Sequence, residues 1–361
     1  MNGVSTQRIL VAMSGGVDSS ATAALLKEQG HEVIGVTMKT FCYGDTPSHG
    51  RTCCGLDGIM DAKRVADALG IPHYVFDVEK EFTRDVIDDF VSEYAKGRTP
   101  NPCVRCNSNT KFGDLLRRGR ALGCTGIATG HYVRTDRAES GRVRLLRGVD
   151  ANKDQAYFLW GLPQTLLPLL HFPLGALTKP EVRDRAREIA LATAEKPESQ
   201  EICFVPTGDY RDLLRKRLET RHPALEPGPI RHVDGRIVGE HTGYAGYTVG
   251  QRKGVVGGFS EPHYVIAIEP DTRTVVIGPR GCLETTTVRI NDTNWFYETP
   301  APGTNVQVQI RHRASAVPAQ VRAVSADEME VELCTTVRAV TPGQSCAVFD
   351  GDELLGGGRI L

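Results

Sequence analysis

Met13-Ser-Gly-Gly-Val-Asp-Ser-Ser20 is the stretch on which the reading of this chain turns. Ahead of it, Arg8-Ile-Leu-Val-Ala12 is a short apolar run, the pattern of a buried strand. Behind it, residues 20–29 carry Ala23, Ala24, Leu25 and Leu26, which favour helix, and Gly30 supplies a stop. A strand, a glycine-rich turn and a helix start aim several backbone N–H groups at one point, where the helix end also carries partial positive charge. That point suits a phosphate. Gly15 and Gly16 let the backbone come close, Ser14 and Ser19 offer hydroxyls, and Asp18 is a candidate Mg²⁺ ligand. No Lys-Ser/Thr pair follows the glycines, which excludes a Walker loop. Two glycines alone leave an ordinary strand-to-helix turn open as the alternative.

Outward from the loop the same alternation continues. Residues 32–38 read as a second strand, 60–69 as a helix closed by Gly70, and His73–Asp77 as a third strand. Residues 82–96 have an amphipathic helical pattern, 111–122 another helix, and 126–129 a further strand. This order implies βαβ units, a parallel sheet, and a ligand at the carboxyl ends of the strands. Met38, ending the second strand, is placed either to lie against an adenine or to fill the core. Residues 97–107 predict a loop broken by Pro100 and Pro102. Its Cys103-x-x-Cys106 is open to three readings: a zinc half-site, a redox pair, or iron–sulfur ligands. Cys53-Cys54 has no assignment.

Further along, residues 134–147 form a charged hairpin in which five arginines face Asp136 and Glu139, either a solvated surface or an RNA contact. Residues 155–178 lack Asp, Glu, Lys and Arg, but Pro163, Pro168 and Pro173 interrupt them, so short buried helices are expected rather than a membrane span. Thr178-Lys-Pro-Glu181 is a capping box opening a helix to about Ala190. Residues 195–205 read as a loop turning into strand, in which Cys203 looks like a buried thiol. A basic helix at 209–221 and a proline-bounded linker at 223–229 follow. Short β segments come next, then clearly alternating strands from about Cys282, the pattern of a small antiparallel barrel or sandwich.

A chain of 361 residues suggests two or three domains, and 40% hydrophobic with 24% charged residues is a globular composition. The net charge of −1 excludes a global basic footprint, so any grip on nucleic acid must be local. Ten cysteines and no charged-then-apolar leader lead to the expectation of a reducing, cytoplasmic setting with thiols kept for chemistry. Cys124, Cys282, Cys334 and Cys346, alone among small or apolar residues, are expected to be small core hydrophobes.

The loop resembles the pyrophosphate (PP) loop of enzymes that split ATP into AMP and pyrophosphate. Five further strings occur with it in one order: Gly97-Arg-Thr-Pro-Asn-Pro-x-x-x-Cys-Asn107, Thr129-Gly-His-Tyr132, Lys153-Asp-Gln-x-Tyr-Phe-Leu159, Lys196-Pro-Glu-Ser-Gln-Glu-Ile-Cys-Phe204 and Tyr247-Thr-x-Gly-Gln-Arg-Lys-Gly254. Together they resemble the tRNA-specific 2-thiouridylase family over residues 8 to about 350. The resemblance implies an α/β fold: a parallel-sheet, adenine-nucleotide α-hydrolase-like catalytic domain (1–220), a small β-rich central domain (221–281) and a C-terminal antiparallel β-barrel (282–361). It implies a tRNA-uridine 2-sulfurtransferase that adenylates O2 of the wobble uridine of lysine, glutamate and glutamine tRNAs, then replaces that oxygen with sulfur. ATP, Mg²⁺, the tRNA and a sulfur donor such as a cysteine desulfurase or relay protein are the implied cofactors and partners, with no membrane.

Carried over by position, the ATP site is Ala12, Met13, Ser14, Gly15, Gly16, Val17, Asp18, Ser19, Met38 and Gly130. Cys106 corresponds to the nucleophile and Cys203 to the persulfide carrier, a route that leaves a Cys106–Cys203 disulfide. Asn101, Pro102 and Cys103 border the target base, while His131, Lys153, Asp154, Gln155, Arg311, His312 and Gln344 touch tRNA. Many family members have Asp where this chain has Cys103. Three thiolates at Cys103, Cys106 and Cys203 offer a second route, a [4Fe–4S] cluster with one iron open to sulfide. Rival functions are another PP-loop tRNA thiolase, and a tRNA-binding protein without turnover.

Overall fold

β1 (Arg8–Ala12) buries its apolar residues Ile9, Leu10 and Val11 because it lies at the centre of a parallel sheet. A computed structural model describes residues 6–40, 56–197, 202–205, 208–255 and 257–361. Cys53-Cys54 and Glu198-Ser-Gln-Glu201 lie outside the described residues. Residues 1–85, 104–208 and 352–354 make one compact unit; residues 86–103, 209–351 and 355–361 make the other.

In the first unit β1 is flanked by β2 (Glu32–Lys39) and β4 (Gly126–Ala128). β3 (His73–Asp77) and β7 (Leu170–His171) form the edges, giving the order β3-β2-β1-β4-β7 with every pairing parallel. Helices α1 (Val17–Glu28), α2 (Leu56–Leu69) and α7 (Lys179–Glu188) pack on it; Ile9, Val11, Val17, Leu26, Val65 and Ala186 share one core. As an edge strand β3 leaves Tyr74 and Val75 half-exposed, although their run alone reads as buried. The antiparallel hairpin β5 (Val133–Arg137) and β6 (Val143–Arg147) has four of its five arginines in ion pairs within the unit. Arg144 meets Asp136, Arg134 meets Asp352, Arg142 meets Glu353 and Arg147 meets Asp154. Its expected local positive charge is therefore largely offset.

Three local expectations are corrected. The amphipathic segment at 82–96 is not one α-helix: α3 (Glu79–Phe82) and α4 (Asp88–Ala95) flank a π-helix at Thr83–Ile87. Residues 102–107 are not loop either. Pro102 opens helix α5 (Pro102–Arg105), where its missing N–H costs nothing. The chain then runs through a π-helix, Cys106–Asp114, into α6 (Leu115–Ala121). Cys203 sits in a turn closed by Val205 N–H donating to Ile202 O at 2.9 Å, not in a strand. The uncharged stretch does break into short pieces, the 3₁₀ turns Ala156–Phe158, Gln164–Leu169 and Pro173–Ala176. No helix among the described residues is long and apolar enough to cross a membrane.

In the second unit, α8 (Tyr210–Arg217) is capped by Asp209, whose carboxylate accepts from Arg211 N–H at 3.0 Å. A four-stranded sheet follows: β8 (Gly228–His232), β9 (Ile237–His241), β10 (His263–Glu269) and β11 (Thr274–Pro279), ordered β10-β11-β8-β9. β12 (Glu284–Trp295), β13 (Asn305–Gln309), β14 (Val317–Val324), β15 (Met329–Arg338), β16 (Ser345–Asp350) and β17 (Glu353–Ile360) then form a barrel. β12 pairs with both β15 and β17, which closes the barrel rather than opening it into a sandwich. Its core holds Val288, Val308, Val321, Val331, Val348 and Cys346, whose thiol burial pushes up to about 12. Cys124 is likewise buried. Cys282 and Cys334 are exposed, correcting the expectation for them: Cys334 falls on the outward face of the alternating strand β15.

Candidate nucleotide and sulfur-transfer site

The PP loop leaves β1 with Met13 N–H donating to Val36 O at 2.7 Å and Met13 O accepting from Thr37 Oγ1 at 2.8 Å. Met13 is buried in the sheet core, and both its backbone polar groups are engaged by β2, so it fixes where the loop starts. Gly15 has φ +70°, and a Cβ there would fall 2.3 Å from Gly58 O of α2. Only glycine fits. Gly16 is the N-cap of α1 and, lacking a side chain, gives the helix no side-chain cap. The first-turn N–H groups thus keep the anion-seeking arrangement of an uncapped helix start. The serines hold the turn: Ser19 Oγ accepts from Ser14 N–H at 3.1 Å and donates to Gly16 O at 3.1 Å, while Ser20 Oγ donates to Gly16 O at 2.8 Å. Gly130 is brought against the loop, since a Cβ on it would lie 2.9 Å from Asp18 C and 3.0 Å from Ser19 N. Met38 is half-buried near the end of β2.

Asp18 differs from its expected role. Its carboxylate accepts from Lys179 Nζ at 2.6 and 2.8 Å and from Tyr132 OH at 2.7 Å. An ammonium on both oxygens supplies the positive charge that a Mg²⁺ would bring, so Asp18 does not fit a metal ligand in this arrangement. Lys179 is buried at the first position of α7, placed there by the capping box in which Glu181 accepts from Thr178 N–H at 2.7 Å. The box is visible in sequence. The Asp18 partnership, 161 residues distant, carries no sequence signal.

Cys106 and Cys203 both belong to the first unit and are half-buried. Cys106 opens the π-helix, whose next residue, buried Asn107, donates from Nδ2 to Phe158 O at 3.2 Å and so ties the Cys106 string to the Lys153–Leu159 string. Phe204 anchors the Cys203 turn edge-on to Phe82, with ring centroids 5.7 Å apart. Cys103 is exposed and belongs to the second unit. No three His, Cys, Asp or Glu side chains among the described residues are grouped to hold a metal ion.

In the second unit, the segment before Cys103 is tied to barrel residues. Gln344 Nε2 donates to Thr99 O at 2.9 Å and Pro100 O at 3.1 Å, Thr99 N–H donates to Pro342 O at 2.8 Å, and Arg98 donates to Ile360 O at 3.0 Å. Gln344 thus holds the backbone just ahead of Asn101 and Pro102. Gln309 Nε2 donates to Arg311 O and His312 O, shaping the turn that presents exposed Arg311 and half-buried His312. In the first unit His131 is buried between Phe112 and Phe172, and burial, aided by Lys111, pushes its imidazole well below its usual value. Asp154 accepts from Arg147, Gly148 N–H and Ala156 N–H, and Gln155 Oε1 accepts from Tyr132 N–H at 3.0 Å, so both organise the turn around half-buried Lys153.

Three family profiles match in chain order: a tRNA methyl transferase HUP domain over residues 7–207, a tRNA methyl transferase PRC-barrel domain over 212–279, and an aminomethyltransferase beta-barrel domain over 285–360. The chain is 46% identical over 366 residues to the tRNA-specific 2-thiouridylase MnmA of Parvibaculum lavamentivorans, covering 98% of this chain and 90% of that one. It is 47% identical to the protein of that name from Geotalea uraniireducens, over 98% of this chain and 95% of that one. The protein of that name from Carboxydothermus hydrogenoformans is 46% identical, over 100% and 99%. With identity of this degree running through all three domains, the chain belongs to the tRNA-specific 2-thiouridylase MnmA family.

Proposed function

We propose that the chain performs ATP-dependent 2-thiolation of the wobble uridine of lysine, glutamate and glutamine tRNAs. The observation that carries the reading is the nucleotide loop: a glycine turn at the carboxyl end of β1, backed by Gly130, with Lys179 buried beside Asp18. A uridine oxygen is a poor leaving group and AMP a good one. O2 of the uridine therefore attacks the α-phosphorus of ATP, forming an O–P bond and expelling pyrophosphate. The terminal sulfur of a Cys203 persulfide then attacks C2, and AMP departs with the original oxygen. The Cys106 thiolate attacks Sγ of Cys203 and breaks the remaining S–S bond. The released sulfur becomes the 2-thio group and a Cys106–Cys203 disulfide is left. Two electrons pass from the two cysteine thiols to the sulfane sulfur, so a thiol reductant must reset the pair and a desulfurase or relay protein must reload it. The base must leave its stack to react, roughly a few kcal/mol and less in a loop than in a duplex.

In this reading Asn101, Pro102 and Cys103 border the target base, while Lys153, Arg311 and His312 remain the tRNA contacts. Asp154, Gln155 and Gln344 act by holding backbone, and His131 by its hydrogen bond to the Thr129 hydroxyl at 2.7 Å. The persulfide route is supported by its two cysteines, both half-buried and both in one compact unit.

The test combines purified protein, ATP, magnesium, unmodified glutamate tRNA and a cysteine desulfurase with cysteine, followed by nucleoside mass spectrometry. 2-Thiouridine, AMP and pyrophosphate are expected in equal amounts. Unchanged product from Cys106→Ser would sink the nucleophile assignment. Iron-free protein of full activity is the result expected of the persulfide route, and activity that tracks bound iron would replace it with the cluster. tRNA binding without ATP turnover would favour the non-catalytic alternative.

A further inference from the structure

The carbonyl of Gly15 does not face the interior of its own loop unattended. It accepts a hydrogen bond from Lys196 Nζ at 2.8 Å, across 181 residues of sequence. The same ammonium lies 2.5 Å from Asp61 Oδ2. Asp61 stands one turn beyond Gly58 on α2, and it is the Gly58 carbonyl that crowds the Gly15 α-carbon. The backbone that carries Lys196 is itself fixed. Arg183 of α7 donates to Ala194 O at 2.5 Å and to Lys196 O at 3.2 Å, one helical turn after Lys179 reaches Asp18. The loop is thus gripped at two points, Asp18 by Lys179 and Gly15 by Lys196, from groups ordered by one helix.

We propose that Lys196 is a positioning residue of the nucleotide loop, setting the orientation of the Gly15–Gly16 peptide for phosphate recognition. This rests on the ATP-dependent reading above. In a trans peptide the C=O and the following N–H point in opposite directions. Holding Gly15 O against Lys196 therefore directs Gly16 N–H to the opposite side. A flip of this peptide would present the phosphate with a carbonyl oxygen in place of a donor. Flanking glycines make this the easiest peptide in the loop to flip, since neither has a Cβ to resist the change. The feature that allows close approach of the backbone thus creates the need for an external hold. Gly15 is buried, so its carbonyl without the ammonium would also lack its observed donor. Asp61 occupies the ammonium from the other side, so Lys196 acts on the loop rather than as a free cation for the phosphates.

The test is ATP and adenosine binding by calorimetry to the full chain and to Lys196→Met, which keeps the stem and removes the donor. We expect ATP affinity to fall about tenfold, the equivalent of one buried hydrogen bond, with adenosine affinity changed less than about twofold. ATP binding as tight as in the unsubstituted chain overturns the proposal. An equal loss for ATP and adenosine also overturns it, because that marks a general collapse of the pocket. An unsubstituted chain that binds no ATP overturns the functional reading and this inference with it, whereas tight ATP binding by Lys196→Met overturns the inference alone.

Discussion

Gly15 shows how narrow the tolerance of the loop is. Its φ of +70°, and a Gly58 O that would stand 2.3 Å from any Cβ placed there, leave no room for even a methyl group. Gly15→Ala is expected to lower the melting temperature, with a cost of about 1–3 kcal/mol from left-handed strain and overlap with backbone. It should also abolish measurable ATP binding; normal binding at normal stability would show that the loop has another conformation to use. The loop was legible because all its parts are local: strand, glycines, serines and helix start are consecutive. Its lysines were not. Lys179 and Lys196 reach it from 161 and 181 residues away, and no periodicity encodes such a meeting. Burial of His131 was equally hidden, since Phe112 and Phe172 are distant in the chain.

At the scale of elements, sequence reading succeeded where the start and stop chemistry is short-range. The capping box at Thr178–Glu181 is the clearest case, and it sets the position from which α7 sends Lys179 and Arg183. The Glu181 carboxyl is held below its usual 4.5 first by the Thr178 N–H and then by the Thr178 hydroxyl. A carboxyl depressed by folding adds stability above its unfolded value, and that contribution is lost as the pH falls through the folded value. Glu181→Ala should therefore melt at a lower temperature than the unsubstituted chain near neutral pH, and the gap should narrow below about pH 4.5. A gap that stays constant down to pH 3, by calorimetry, would remove the box from the account. Reading failed where a proline has two meanings. Pro100 and Pro102 look like a broken loop, yet Pro102 serves as a helix opener. The π-helix at Cys106–Asp114 has no compositional mark, so the helical setting of Cys106 was not visible.

For the molecule as a whole, a parallel-sheet fold followed by smaller β segments and an antiparallel barrel was legible from the change of texture near residue 223 and the strand alternation after 282. The assignment of residues 86–103 to the same compact unit as the barrel was not. That assignment is physical: Arg359 meets Asp89 at 3.0 Å and Glu93 at 2.9 Å, and Arg98 meets Glu93 at 3.0 Å. Burial pushes the Glu93 carboxyl up, but Arg359 and Arg98 more than offset it and leave it below its usual range. Arg359→Met should destabilise the chain by about 2–3 kcal/mol, because it removes the charged donor that Asp89 and Glu93 share while Arg98 stays on Glu93. Urea unfolding measures this, and a change below about 1 kcal/mol would mean the network is dispensable. The same link has a consequence in time. Asp89 and Arg359 are 270 residues apart, so a ribosome working at about 5–20 residues per second finishes the second long after the first, on the order of tens of seconds later. Through that interval the helix that leads into Asn101, Pro102 and Cys103 has emerged without its arginine, so its final packing has to wait for the strand that carries Arg359.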